Sequence, residues 1–298
     1  MIIPVAHIDE PDTINALLNA LRTLHGPAYD FAVGRWAGAV RMVAPSGRTV
    51  YRFLIQTADA AVHLRQGDLV RGPTPNGADR IIDETLLEIG EARAEALLPG
   101  DVVTATAEPV TLTGRGVYFD VLVETTDYLA PRAAFLRNLS DHPGGCAAYP
   151  GAFRREAMPP QRPAPNALDR RGVNRVNEHT LDMRIDRRPP PIRHYHGPVA
   201  VDENVVVNHS ETAIVLPRAV YGRPAVDQTD EGHVLIYRRP AEDPTDTVII
   251  PVRPGSIVVT PATPETTMGH CFENCFAMLV AIPGFVAPYQ MISAKNTA

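Results

Sequence analysis

The chain has 298 residues, 45% hydrophobic and 21% charged, and 28 basic against 34 acidic side chains give a formal charge of -6 at pH 7. That apolar content supports a sizeable core in one large or two medium domains, and the acidic balance with scattered arginines excludes a nucleic-acid footprint. No stretch reaches the ~20 apolar residues of a membrane span and Met1-Ile2-Ile3-Pro4-Val5 lacks a basic leader, so a cytoplasmic protein without a membrane partner is expected.

Near the N-terminus, Asp9-Glu10-Pro11-Asp12 precedes Ile14, Leu17, Leu18, Leu21 and Leu24, which stop at Gly26-Pro27. Apolar residues at steps of three and four, with acid and proline before them and glycine after, predict one amphipathic helix of about four turns. Most of the remainder reads as strands. Runs such as Arg48-Thr49-Val50-Tyr51-Arg52-Phe53-Leu54-Ile55 are rich in β-branched and aromatic residues and are punctuated by the chain's 29 prolines and 21 glycines. A faint repeat relates Leu97-Leu98-Pro99-Gly100-Asp101-Val102-Val103-Thr104 to Val252-Arg253-Pro254-Gly255-Ser256-Ile257-Val258-Val259, each followed by a further apolar strand. Self-similarity of this kind points to a duplicated lobe. Pro150, Pro159, Pro160, Pro163 and Pro165 mark a linker, so the expected division is an N-terminal lobe with its leading helix over 1–148, a Pro-rich linker over 149–172 and a C-terminal lobe over 173–298.

The chemistry-bearing residues gather in the second lobe. His194 and His196 flank Tyr195 at alternate positions of one strand, and His270 follows the Pro254-Gly255 turn and Pro261. Alternation places the first two on one face, and imidazole donors converging inside a barrel suit a divalent transition metal. A carboxylate on a following strand, Glu203 or Glu211, can complete the set. His209 shares a strand face with Glu211 and is an alternative ligand, while Tyr195 and Arg218 are further pocket candidates, Arg218 as a fork for a substrate carboxylate or phosphate. His63, the one histidine in the first lobe's strands, reads as structural or surface-lying, and His179 and His233 as structural. The three cysteines, Cys146, Cys271 and Cys275, are too few for a disulfide framework and fit a reducing compartment.

At these residues the chain resembles the cupin superfamily, and specifically the two-domain bicupins. Gly255, Pro261, His270 and Asn274 match the second cupin signature, with a longer stretch between Pro261 and His270, and His194 and His196 match the His-x-His of the first, whose Glu is displaced here. The resemblance implies a mainly all-β fold of two double-stranded β-helix, or jelly-roll, lobes, with one divalent metal ion, Fe or else Zn, Mn or Ni, held by His194, His196, Glu211 and His270. In the N-terminal lobe Glu108-Pro109-Val110 stands where a histidine is expected, so that lobe is read as degenerate and metal-free.

The same resemblance implies a metal-dependent enzyme acting on a small molecule. A non-haem iron dioxygenase comes first, because the pocket strands are strongly apolar; a Zn- or Mn-dependent sugar-acid isomerase, lyase or cyclase comes next. A non-catalytic binding or scaffold bicupin is the remaining alternative, and pairing of edge strands across a two-fold axis makes a homodimer the expected assembly.

Overall fold

Helix α1 (Pro11–His25) follows from its sequence: Pro11 begins it, Asp12 lies in its first turn, and Gly26 closes it with φ 71° and a hydrogen bond from its N–H to the Arg22 carbonyl. Ile14, Leu17, Leu18, Leu21 and His25 form its buried stripe. The computed structural model describes residues 3–27, 29–72, 85–124, 135–136, 152–156, 174–180, 194–196, 199–202, 205–207, 209–217, 232–238, 248–260, 268–273 and 276–283. Apart from α1, the regular structure among the described residues is strand. Among the described residues no helix is long and apolar enough to cross a membrane.

In chain order the first strands are β1 (Val5–His7), β2 (Tyr29–Ala37), β3 (Val40–Met42), β4 (Arg48–Leu64), β5 (Leu69–Gly72), β6 (Thr85–Glu88), β7 (Arg93–Ala96), β8 (Val102–Ala105), β9 (Val110–Glu124) and β10 (Phe135–Leu136). All but β1 belong to one nine-stranded sheet built around the long pair β4 and β9. The β4 ladder slips between Leu54 and Gln56 and again between Ala58 and Ala61, where Asp59 has φ 50°. Such bulges bend a strand and sharpen its twist, which lets one sheet wrap a core of Trp36, Val50, Leu54, Val62, Val103 and Leu112.

The second half contributes β11 (Ala152–Glu156), β12 (Asn174–Thr180), β13 (His194–His196), β14 (Val199–Asp202), β15 (Val205–Val207), β16 (His209–Leu216), β17 (Gly232–Arg238), β18 (Val248–Val252), β19 (Ser256–Thr260), β20 (Met268–Glu273) and β21 (Phe276–Pro283). A six-stranded sheet runs β1-β19-β16-β21-β12-β11 and a four-stranded sheet β13-β20-β17-β18, with β14 and β15 as a separate pair. Ala213, Val215 and Val258 from the larger sheet meet Val234, Ile236 and Ile250 from the smaller one in a second core. The Ala152–Glu156 part of the proline-rich stretch 149–172 is a strand, antiparallel to β12, in the space between Pro150 and Pro159. Strand β1, from the start of the chain, also joins the C-terminal sheet: Val5, Ala6 and His7 pair with Val258, Ile257 and Ser256.

A third core lies between the lobes. Phe31, Phe53 and Phe119 from the first sheet and Ile214, Met278 and Ile257 from the second pack together with the apolar stripe of α1. The last turn of the helix is fastened to both sheets. Arg22 donates to Asp30 Oδ1 at 2.6 Å and to the Phe31 carbonyl at 2.8 Å, while Ser210 Oγ on β16 lies 2.6 Å from His25 Nε2. His7 closes the N-terminal segment: its Nε2–H donates to the Pro254 carbonyl at 3.0 Å, which leaves Nδ1 to accept the Asp9 N–H at 3.2 Å.

The faint repeat is a structural duplication. In each lobe a Pro-Gly turn carries its glycine at positive φ, 89° at Gly100 and 92° at Gly255, as the third residue of a type II turn requires. The Asp101 N–H donates to the Leu98 carbonyl at 3.1 Å and the Ser256 N–H to the Arg253 carbonyl at 2.9 Å. Their side chains return the bond, Asp101 Oδ2 accepting from the Leu98 N–H and Ser256 Oγ from the Arg253 N–H. Each glycine N–H then reaches the preceding long strand, Gly100 to the Leu54 carbonyl at 2.7 Å and Gly255 to the Val215 carbonyl at 2.8 Å. Strand β4 is thus the counterpart of β16, β8 of β19 and β9 of β21, and the ladders give Arg52 and Asp120 as counterparts of Ala213 and Leu279, and Val50 of Glu211.

Candidate functional site

In the C-terminal lobe the backbone brings three of the four candidate ligands onto one sheet. Strand β13 runs antiparallel to β20, with His194 opposite His270 and His196 opposite Met268. On its other side β20 pairs with β17, where His270 stands opposite Ile236. Directly opposed residues share a face of a sheet, and Ile236 is fully buried in the core of this lobe. Glu211 belongs to the facing sheet, paired with Thr260 and Ala281, two and four residues before the buried Ala213 and Val215. Strand alternation puts Glu211 in their row. His209 is the first residue of the same strand, opposite Pro283, and Tyr195 stands opposite Gly269. Glu203 and Arg218 lie outside the described residues, as do Pro261 and Asn274.

The N-terminal lobe keeps the scaffold and changes the chemistry. Val50, a buried aliphatic, occupies the place of Glu211. One pair further along, Arg52 on β4 lies opposite Asp120 on β9, and the two form a two-pronged ion pair, Nε to Oδ1 at 2.9 Å and Nη2 to Oδ2 at 2.7 Å. The guanidinium also lies over the Tyr118 ring, its Cζ 3.5 Å from the ring centroid. Desolvation by burial opposes the charged guanidinium, but the hydrogen bond and charge of Asp120 outweigh it and hold the Arg52 pKa above its ordinary value. Burial raises the Asp120 carboxyl, against the pull of Arg52.

Two glycines shape this interior. Gly34 stands opposite Tyr118 and Trp36 opposite Gly116 across the β2–β9 ladder. A Cβ on Gly34 would strike the Tyr118 ring, and one on Gly116 the Trp36 ring. Each aromatic ring therefore lies over a glycine of the neighbouring strand, and the two centroids are 6.1 Å apart. Beside them is a cavity of about 390 Å³ bordered by Trp36, Arg41, Met42, Arg52, Tyr118 and Asp120, among others. The histidine and carboxylate motifs of the sequence do not point to this group. Its signal is a single charge of opposite sign in the middle of each of two apolar strands, Val50-Tyr51-Arg52-Phe53-Leu54 and Tyr118-Phe119-Asp120-Val121-Leu122. His63, read as structural or surface-lying, is exposed and lies 3.2 Å from Thr113 Oγ1.

No family model and no curated protein matches the chain. Among solved structures it is similar to a salicylate 1,2-dioxygenase variant from Pseudoaminobacter salicylatoxidans, at 10% identity over 94% of this chain and 83% of that one, with a TM-score of 0.44. It is also similar to a Lactobacillus farciminis oxalate decarboxylase in a formate complex, at 12% identity over 94% and 82% with a TM-score of 0.43. The vicilin of Corylus avellana is a third, at 10% identity over 88% and 76% with the same TM-score of 0.43. The fold itself is settled by its own strands. It is the mainly β fold with a single described helix that the resemblance to the bicupins implied.

Proposed function

We propose that the chain is a bicupin enzyme whose C-terminal lobe holds one divalent metal ion through His194, His196, Glu211 and His270 and acts there on a small molecule. The observation that carries this reading is the register: His194, His270 and buried Ile236 stand in line on one sheet, and Glu211 stands in the row of buried Ala213 and Val215 on the sheet facing it. Three imidazoles and one carboxylate suit Fe(II), Mn, Ni or Zn and leave coordination positions open. A divalent ion there supplies Lewis acidity or, as Fe(II), access to dioxygen.

The surrounding wall favours an apolar substrate. Val215, Val234, Ile236, Ile250 and Val252 are all buried in this core, so a substrate beside the metal is shielded from water and presents an apolar or aromatic body. This is the support for an oxygenase ahead of a sugar-acid isomerase or lyase. A homodimer is in keeping with the edge strand β18, whose Val248 and Ile249 are exposed, and a reducing, cytoplasmic setting with the three cysteines.

Metal analysis of protein purified without oxygen, beside a folded His194→Ala/His196→Ala variant, tests the reading. About one iron per chain in the wild type and none in the variant is the expected result. Stoichiometric Zn, Mn or Ni lost in the same way moves the assignment to the isomerase or lyase. Equal metal content in the two proteins, or none in either after reconstitution, overturns it.

A further inference from the structure

The Arg52–Asp120 pair is a poor device for stability, because taking two charges out of water costs about as much as their attraction returns. The chain carries its own control. At the equivalent place of the C-terminal lobe the register pair is Ala213 and Leu279, with neither charge, on the same strands and turn. The scaffold therefore has no need of an ion pair at this point. Both charged side chains are about nine-tenths buried, 11% and 13% exposed, and both border the 390 Å³ cavity.

What the pair leaves unused indicates what the cavity takes. Asp120 engages Nε and Nη2 of Arg52, and among the described residues Nη1 has no hydrogen-bond partner. Arg41, exposed on β3, borders the same cavity and makes no ion pair with any described residue. Arg35 and Asp30 are also there but are occupied, Arg35 by Asp9 at 2.6 Å and Asp30 by Arg22 at 2.6 Å. Arg52 Nη1 thus has a donor to spare beside a space walled by Trp36, Tyr118, Val40 and Met42, which Arg41 also borders. With Arg52 paired to Asp120, Asp30 to Arg22 and Arg35 to Asp9, Arg41 is the one bordering charge without an ion pair among the described residues, which suits a monoanion. A dianion such as phosphate would meet the Asp120 and Asp30 carboxylates.

We propose that this cavity in the N-terminal lobe is a second ligand site, separate from the proposed metal centre, for a small monocarboxylate with a flat apolar body. Its carboxylate is held between Arg52 Nη1 and Arg41 and its body lies against Trp36 and Tyr118. The volume is at the small end of the roughly 300–1,000 Å³ range of ligand pockets, which suits a single-ring acid.

Trp36 is the only tryptophan in the chain and borders the cavity, so its emission reports occupancy directly. The full chain is titrated with benzoate and with uncharged benzamide, followed by Trp36 fluorescence and by saturation-transfer NMR. Benzoate is expected to bind saturably and benzamide more weakly by about tenfold, the loss of one charge-assisted contact. Arg41→Gln, an exposed change that leaves the core intact, and Arg52→Met/Asp120→Leu are each expected to weaken benzoate about tenfold or more. His194→Ala/His196→Ala, in the other lobe, is expected to bind it as the wild type does. Absence of saturable binding, equal affinity for benzamide, or undiminished benzoate binding in both N-terminal variants overturns the proposal. So does loss of binding confined to the His194→Ala/His196→Ala protein, which would move the ligand to the metal centre.

Discussion

Acid is expected to weaken the junction between the lobes through His25. The imidazole packs against both Tyr29 and Phe31, with centroid distances of 5.5 and 5.7 Å, and its Nε2 is 2.6 Å from Ser210 Oγ. Burial strips it of water and lowers its pKa from 6.5 to about 4. Between those values the unfolded chain binds a proton that the native chain refuses, so stability falls as the pH falls. The contribution is complete above pH 6.5, declines through the interval and is exhausted below about pH 4. At about 1.4 kcal/mol per pH unit the interval is worth about 3 kcal/mol, against a typical total of about 5–15 kcal/mol. The test is urea unfolding from pH 7.5 to pH 4, comparing wild type with His25→Leu/Ser210→Ala, which removes both partners and strands neither. The difference in unfolding free energy between the two proteins should shift by about 3 kcal/mol in the variant's favour on acidification. Parallel profiles would refute the assignment of a buried, neutral His25.

Phe119 is fully buried between Phe31 and Phe53, at 6.1 and 6.4 Å, in the core shared by both lobes. Phe119→Ala should cost about 3–5 kcal/mol, and because the core is shared, calorimetry should show both lobes shifting together in one transition. Gly116→Ala should push the Trp36 ring off its seat, destabilise by about 1–3 kcal/mol and shift the tryptophan emission to the red. Gly34→Ala acts on Tyr118 instead, at a similar cost of about 1–3 kcal/mol, and near-ultraviolet circular dichroism should detect the displaced tyrosine.

The parts of the fold legible in the sequence were those with local causes. Helix α1 carries its apolar spacing, its leading proline and its closing glycine within its own residues, and it forms over Pro11–His25 as that pattern requires. The Pro-Gly repeat was readable for the same reason, since a type II turn names its own residues. Strand lengths were less readable. Strand β4 continues through Thr57-Ala58-Asp59-Ala60, a stretch of modest strand preference, because β9 pairs with it along its length and a bulge absorbs Asp59. The pairing of β1 with β19 has no local signal, for nothing in Val5-Ala6-His7 names a partner some 250 residues away. At the candidate metal centre the histidine spacing was visible, whereas the alignment of His194 with His270 and Ile236 exists only once three strands are in register. Arg52 and Asp120 were invisible as a pair for the same reason: each is a lone charge in its own strand, and only the ladder makes them neighbours.

The duplication turns that pair into a decisive comparison between stability and binding. If Arg52 and Asp120 serve the fold, removing both should cost at least as much as removing either. If they serve a ligand, the order reverses. Asp120→Ala alone leaves a buried guanidinium without its counterion and should cost about 3–5 kcal/mol, as should Arg52→Met for the stranded carboxylate. Arg52→Met/Asp120→Leu strands nothing and gives the N-terminal lobe an apolar pair like the Ala213 and Leu279 pair at the equivalent place. It should unfold within about 1 kcal/mol of the wild type or above it, since apolar replacement of a buried ion pair is often neutral or stabilising. A stable double variant with weakened benzoate binding would mean that the charges are kept for what enters the cavity. A double variant as unstable as either single one would show that the first lobe, unlike its copy, is built on the ion pair, and would refute the ligand site.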